Sequence, residues 1–248
     1  MKKILGIILI IGFIAGCGKE NKYSNDFSAV AFINASPGSP AINVFVDTMQ
    51  QTAAGIAYRS NSGYLNVQPG TRAIELSATT NFVTSKHVQS PTEVFEPNTA
   101  STYFIYDTTT ASNQQLKTLR LNDDLSVPAL GSIKVRFVPL AINAPAVDVT
   151  FLRTSASTPD SVTITNRSYV GANPSAATIQ ALSAFTTIPA GAYTVKLKAA
   201  GTQNVLASAP FTLAQLTGTG NQVGIVTFYS AGTAKGQALG VSVFRHYP

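Results

Sequence analysis

From Val30 the chain alternates. Val30 and Phe32 alternate with Ala31 and Ile33, and after a Pro/Gly/Ser corner, Ala35 to Pro40, the apolar Ile42, Val44 and Val46 alternate with Asn43, Phe45 and Asp47. A period of two on each side of turn-forming residues predicts two strands flanking a rigid corner. The block recurs without a gap 105 residues later, where Ile133, Val135 and Phe137 oppose Lys134 and Arg136, and Val147, Val149 and Phe151 oppose Asp148 and Thr150. Five of the seventeen positions of Val30–Val46 are identical in Val135–Phe151, which points to an internal repeat rather than shared composition. Charges on one face and large apolar groups on the other predict strands that pack on one side and are wet on the other.

The correspondence resumes at Tyr64–Leu76, which aligns with Phe185–Leu197 at an offset of 121, with Gly70 and Gly191 in the same turn. The second copy therefore holds about sixteen more residues between Phe151 and Phe185, including Val162-Thr163-Ile164, a candidate added strand. Each copy closes with two further apolar strands, Thr102–Tyr106 and Leu116–Leu121 in the first, Val223–Tyr229 and Leu239–Phe244 in the second. Short strands with frequent turn signals predict an all-β protein of two tandem antiparallel β-sandwich domains of immunoglobulin-like size. The expected domains are 28–124 and 132–248, joined end to end by a short linker, 125–131. One continuous larger β structure is the alternative.

Composition agrees with this architecture. Hydrophobic residues make up 45% and charged residues only 11%, which describes a globular chain rather than a disordered one. The first sixteen residues stand apart, with Lys2-Lys3 followed by an apolar run from Ile4 to Ile14 that is too short to span a bilayer. They predict a signal peptide. Its end, Ile14-Ala15-Gly16-Cys17, resembles the lipobox of bacterial lipoproteins, and Cys17 is the only cysteine of the chain. The resemblance implies cleavage before Cys17, acylation there by chains such as palmitate, and a lipidated tether over 17–27. More than one acyl chain is needed for stable anchoring. The implied location is the cell envelope, at the outer membrane of a Gram-negative cell, on its periplasmic or surface face. Without Lys2 and Lys3 the formal charge falls from +6 to +4, and no nucleic-acid partner is expected.

Ala35-Ser36-Pro37-Gly38-Ser39-Pro40-Ala41-Ile42-Asn43-Val44-Phe45-Val46-Asp47 and Tyr64-Leu65-Asn66-Val67-Gln68-Pro69-Gly70-Thr71 resemble the signature of the family known as domain of unknown function 4397. Pro145-Ala146-Val147-Asp148-Val149 resembles one element of it more closely still. The resemblance implies two tandem copies of a β-sandwich envelope module with no established activity.

Candidate chemistry is sparse. His87 and His246 are the only imidazoles, too few for an ordinary metal site, and an exposed or capping role is expected for each. No nucleophile-elbow, zinc-protease or phosphate-loop motif occurs. Glu93 and Glu96 form a pair of carboxylates beside Pro91 and Pro97, expected in a solvated loop or edge. Asn122-Asp123-Asp124 at the junction raises calcium binding, with turn formation the preferred account. Tyr58, Tyr64, Tyr169 and Phe185 are candidates for sugar stacking, weighed against a place in the core or on a sheet face. Thr48, Thr108 and Ser161 each follow an aspartate in a pattern that resembles O-glycosylation sites of some Gram-negative envelope proteins. The expected function is a non-enzymatic, cofactor-free, lipid-anchored envelope protein. It would present loops, chiefly the 152–184 segment, to a polymer or protein partner. A carbohydrate-active enzyme or its accessory subunit, and a structural envelope scaffold, are the alternatives.

Overall fold

The computed structural model describes residues 26–80, 83–89, 92–108, 116–153, 160–213 and 224–246, with the backbone alone described for 78–80, 83–89 and 213. The N-terminal half contains β1 (Ser28–Asn34), β2 (Asn43–Val46), β3 (Met49–Gln50), β4 (Asn61–Val67), β5 (Gly70–Arg72), β6 (Ile74–Thr80), β7 (Val83–Gln89), β8 (Glu93–Phe95), β9 (Ala100–Tyr106) and β10 (Lys117–Asn122). The C-terminal half contains β11 (Ser132–Pro139), β12 (Val147–Arg153), β13 (Asp160–Arg167), α1 (Ala176–Ser183), β14 (Thr186–Pro189), β15 (Gly191–Ala199), β16 (Val205–Leu213), β17 (Ile225–Ala231) and β18 (Gly240–Arg245). The described residues are mostly β, with several sheets and one short helix.

The two halves repeat one another in strand order. The first forms sheets β10-β9-β1-β4 and β3-β2-β6-β7 with a small β5-β8 pair; the second forms β18-β17-β11-β14 and β13-β12-β15-β16. The expected antiparallel character needs one correction, because β1 pairs parallel with β9, and β11 pairs parallel with β17. Parallel neighbours need a long crossover. The whole second sheet of each half supplies it.

Burial shows three apolar layers. The first lies between the two large sheets of the N-terminal half and joins Val30, Phe32, Tyr103 and Ile105 to Val44, Val46, Ile74 and Leu76. Its counterpart in the C-terminal half joins Val135, Phe137, Val226 and Phe228 to Val149, Phe151, Val195 and Leu197. The third holds the halves together: Ala31, Ile33, Phe104, Tyr106, Leu119 and Leu121 meet Val138, Leu140, Tyr229, Ala231 and Phe244. The halves thus pack face to face through β10-β9-β1-β4 and β18-β17-β11-β14, not end to end. The wet face expected for β1 and β11 is this seam. Residues Val30 to Ile33 are buried throughout, and Arg136, which suggested a solvated face, is only 2% exposed.

Local chemistry fixes the corners. After β1, the Asn34 side chain accepts from the Ser36 amide at 3.1 Å and donates to the Ile56 carbonyl at 3.0 Å, so a buried amide folds the Pro/Gly corner back. Helix α1 starts where Ser175 accepts from the Thr178 amide at 3.2 Å, satisfying an otherwise orphan donor. It buries Leu182 and packs Ile179 against the seam. The 152–184 segment, expected to present loops around a candidate strand at Val162-Thr163-Ile164, carries all of β13, which includes that strand, and all of α1, which was not expected. β13 is the long counterpart of the two-residue β3.

Candidate functional site

Two places gather polar side chains. The first is buried in the seam. Arg136 on β11 pairs with Asp123 just after β10, nitrogen to oxygen at 2.5 Å, with both side chains at most 1% exposed. Its Nε donates to Thr227 Oγ1 at 2.8 Å and another guanidinium nitrogen to the Asn122 carbonyl at 2.9 Å. Thr227 Oγ1 lies 2.7 Å from His246 Nε2, and His246 Nδ1 lies 2.6 Å from Tyr64 Oη. Tyr64 Oη and Thr102 Oγ1 each donate to Asp123 Oδ2 at 2.7 Å.

Counting protons fixes the roles. Thr227 already accepts from Arg136, so its single hydroxyl proton goes to His246 Nε2. Tyr64 gives its proton to Asp123, so His246 must donate from Nδ1 to Tyr64 Oη. A neutral imidazole with its proton on Nδ1 satisfies every contact. The result is a closed ring, Arg136 to Thr227 to His246 to Tyr64 to Asp123 and back to Arg136, with the Phe185 ring 4.6 Å from the guanidinium carbon. Burial pulls the His246 pKa down to about 3, aided by Arg136 and opposed by Asp123. Burial, with the Asp123 charge next, pushes Tyr64 far above its ordinary value. Neither group is poised to move a proton near neutral pH, as a general acid or base must be. The ring joins the halves.

These positions overturn two expectations. His246 is fully buried, neither exposed nor a cap. Asp123 is neither a turn residue nor an available calcium ligand, since Arg136, Tyr64 and Thr102 occupy its oxygens; the turn account holds at Asp124, which accepts from the Ser126 amide at 3.0 Å and pairs with Lys134 at 2.6 Å. Among the described residues, no group of three or more His, Cys, Asp or Glu could hold a metal. The side chain of His87 and the whole of Cys17 lie outside the described residues. Glu93 sits in the edge strand β8 and reaches Arg120 at 3.5 Å. Tyr58, Tyr64 and Tyr169 pack against the seam core. Of the acceptor candidates, Thr48 and Ser161 are exposed, whereas the half-buried Thr108 hydroxyl lies 3.4 Å from the Pro37 carbonyl.

The second place is an open cleft of about 520 Å³ between α1 and the chain that follows β13. Asn166, Arg167, Ser168, Tyr169 and Val170 form one wall, Ala177, Thr178, Ala181 and Leu182 the other, with Pro139 between them. The first wall is pinned from three sides. The Asp148 carboxylate accepts from the Asn166 amide at 2.8 Å and from the Gly201 amide at 2.9 Å. The Val170 amide donates to the Pro139 carbonyl at 3.0 Å, and the Tyr106 hydroxyl, from the other half, donates to the Gly171 carbonyl at 2.9 Å. Asp148, which the sequence offered as a polar strand position within the family-like Pro145–Val149 element, thus builds the wall. Arg167 was not singled out in the sequence, because an arginine at a strand end has no pattern of its own.

Residues 28–150 match the family described as Domain of unknown function (DUF4397). The matched region covers the N-terminal half and runs on through β11 into β12, so it takes in Asp148, Asp123 and Arg136 but stops before the cleft-forming β13 and α1. No curated protein matches the chain.

Proposed function

We propose that the protein is a non-enzymatic, lipid-anchored cell-envelope binding module, held to the membrane by acylated Cys17. Its two halves are two copies of the same DUF4397 unit, each an immunoglobulin-like sandwich, and the C-terminal copy presents the binding surface to a polymer or protein partner. The observation that carries this reading is the cleft. It is formed almost wholly from the segment by which the second half exceeds the first, while the polar groups of the repeated part are used in the seam. A fixed wall beside a short helix, on a rigid body, is how a binding surface is commonly built. Repetition of strand order supports the two-copy reading. Exposure of Thr48 and Ser161 is compatible with O-glycan acceptors there.

The test uses the full-length protein in detergent micelles on a glycan array and in capture from envelope extracts, beside Ala181→Trp, which fills the cleft from an exposed helix position. Ligand capture lost in Ala181→Trp is the expected result. Capture unchanged by that substitution removes the cleft from the proposal. Fatty-acid labelling that persists in Cys17→Ser would refute the anchor.

A further inference from the structure

Among the arginines of the chain, Arg167 differs from the rest. Arg72, Arg120, Arg136 and Arg153 each pair with a carboxylate. Arg59 donates to the Ala231 carbonyl and Arg245 to the Thr212 carbonyl. Arg167 makes no ion pair or side-chain hydrogen bond with the described residues; its Nε, like those of Arg120 and Arg153, is buried without a partner. Arg167 lines the cleft of about 520 Å³ beside α1, where no lining residue is acidic. A desolvated donor left unmatched is costly, and a cation held so beside a cleft is stabilised by an anion placed within it.

The rest of the lining narrows the ligand. Asn166, Ser168, Tyr169 and Thr178 offer amide and hydroxyl groups, while Pro139, Val170, Ala181 and Leu182 offer apolar surface. The volume of about 520 Å³ lies in the range of small-ligand sites, roughly 300–1,000 Å³. The first turn of α1, which carries no acidic residue, faces the same space through Ala177 and Thr178 and adds the positive end of a short helix. A body bearing many hydroxyls, with apolar ring faces and a carboxylate, matches all three kinds of group.

We propose that this cleft binds an acidic oligosaccharide, with Arg167 holding the sugar carboxylate. Asp148 acts behind it as a positioning residue that fixes the Asn166–Arg167 backbone. The inference rests on the binding-module reading above and adds the charge and class of the ligand. Asp148 and Asp107 are the nearby carboxylates; the first is engaged by two amides, and the second lies beside Tyr169.

The decisive experiment titrates the full-length protein in detergent micelles with trigalacturonate, its methyl ester, maltotriose and inorganic phosphate, by calorimetry. Saturable binding of trigalacturonate is expected, with the methyl ester and maltotriose at least tenfold weaker and phosphate failing to compete. Arg167→Gln should weaken trigalacturonate by about tenfold or more, the loss of a charge-assisted contact, and Ala181→Trp should abolish it. No trigalacturonate binding, equal binding by Arg167→Gln, or full competition by phosphate would each overturn the proposal. Neutral oligosaccharide binding blocked by Ala181→Trp would overturn it too while leaving the binding-module reading intact. Unchanged thermal unfolding of Arg167→Gln, whose side chain supports no other described group, separates loss of binding from loss of fold.

Discussion

Replacing Arg136 by Met leaves Asp123 buried, charged and deprived of its guanidinium. Both side chains of the pair are at most 1% exposed, and removing one partner of such a pair typically costs about 3–5 kcal/mol. That is a large fraction of the roughly 5–15 kcal/mol by which a domain is stable. The loss is expected to be mostly the stranded carboxylate rather than lost packing, because Met fills much of the space of the arginine stem. Asp123→Leu alone strands the guanidinium in the same way. Combining Arg136→Met with Asp123→Leu removes both charges, and the double variant should recover about 2–3 kcal/mol relative to the sum of the single losses. Urea unfolding of the four proteins, followed by tyrosine fluorescence and far-ultraviolet circular dichroism together, measures this. Because the pair bridges Asp123 of the N-terminal half and Arg136 of the C-terminal half, the single variants should also separate one transition into two. Additive losses, or single transitions of unchanged slope in every variant, would refute the idea that the ring ties the halves together.

Three further outcomes follow from other parts of the molecule. His246 has a folded pKa near 3 against an ordinary 6.5, so the unfolded chain takes up the proton first as pH falls. Stability should therefore be full above about pH 6.5 and decline towards pH 3, losing about 2 kcal/mol between pH 7 and 5; thermal melts of His246→Gln should lack that slope. Gly232 has φ +108, and a Cβ there would stand 2.1 Å from the Ala238 carbonyl oxygen, so Gly232→Ala should lower stability by about 2 kcal/mol or more; an unchanged melting temperature would contradict it. Tyr106→Phe deletes the hydrogen bond to the Gly171 carbonyl and should cost about 1 kcal/mol while speeding amide exchange at Val170, one wall of the cleft. Unaltered exchange there would show that Tyr106 does not hold that wall.

Strand positions were legible because a period of two survives wherever one face of a strand packs. Val30, Phe32, Val44, Val46 and their counterparts in β11 and β12 face the sandwich cores as alternation placed them, whereas Ala31 and Ile33, expected on a wet face, are buried in the seam. The short β3 and β8 carry too few residues for a pattern, and α1 has only eight residues with little amphipathic bias, so its cap at Ser175 was the one available signal. Arg136 and Lys134 misled for a physical reason. Charge at alternate positions implies water only if no complementary charge is brought to the face, and the partners of these residues, Asp123 and Asp124, come from beyond β10. The mistaken account of His246 has the same origin. Its surroundings are supplied by Tyr64, Asp123 and Arg136, which lie 182, 123 and 110 positions away in the chain.

The ring also explains how two similar faces select each other. Along the inner sheets, Ala31 lies beside Thr102 and Arg136 beside Thr227, while Leu121 opposes Thr102 and Phe244 opposes Thr227. Asp123 and His246 each stand two residues beyond those positions, and their amides donate to Ala100 and Ile225 at corresponding places in β9 and β17. Tyr64 corresponds to Phe185 by the offset of the aligned block. Four pairs of positions are thus equivalent in the two halves: Ala31 and Arg136, Thr102 and Thr227, Tyr64 and Phe185, and Asp123 and His246, the last of which also meet across the seam at 3.8 Å. A face meeting a copy of itself repeats every contact twice. Two N-terminal faces would bury two Asp123 carboxylates with Ala31 where the guanidinium should be, and two C-terminal faces would bury two Arg136 cations without a carboxylate. Each homotypic pairing strands charge at a cost of several kcal/mol, whereas the pairing of unlike halves closes the ring. Specificity of this kind comes from the penalty on the wrong partner as much as from the bonds to the right one. It favours the intramolecular seam over association between chains.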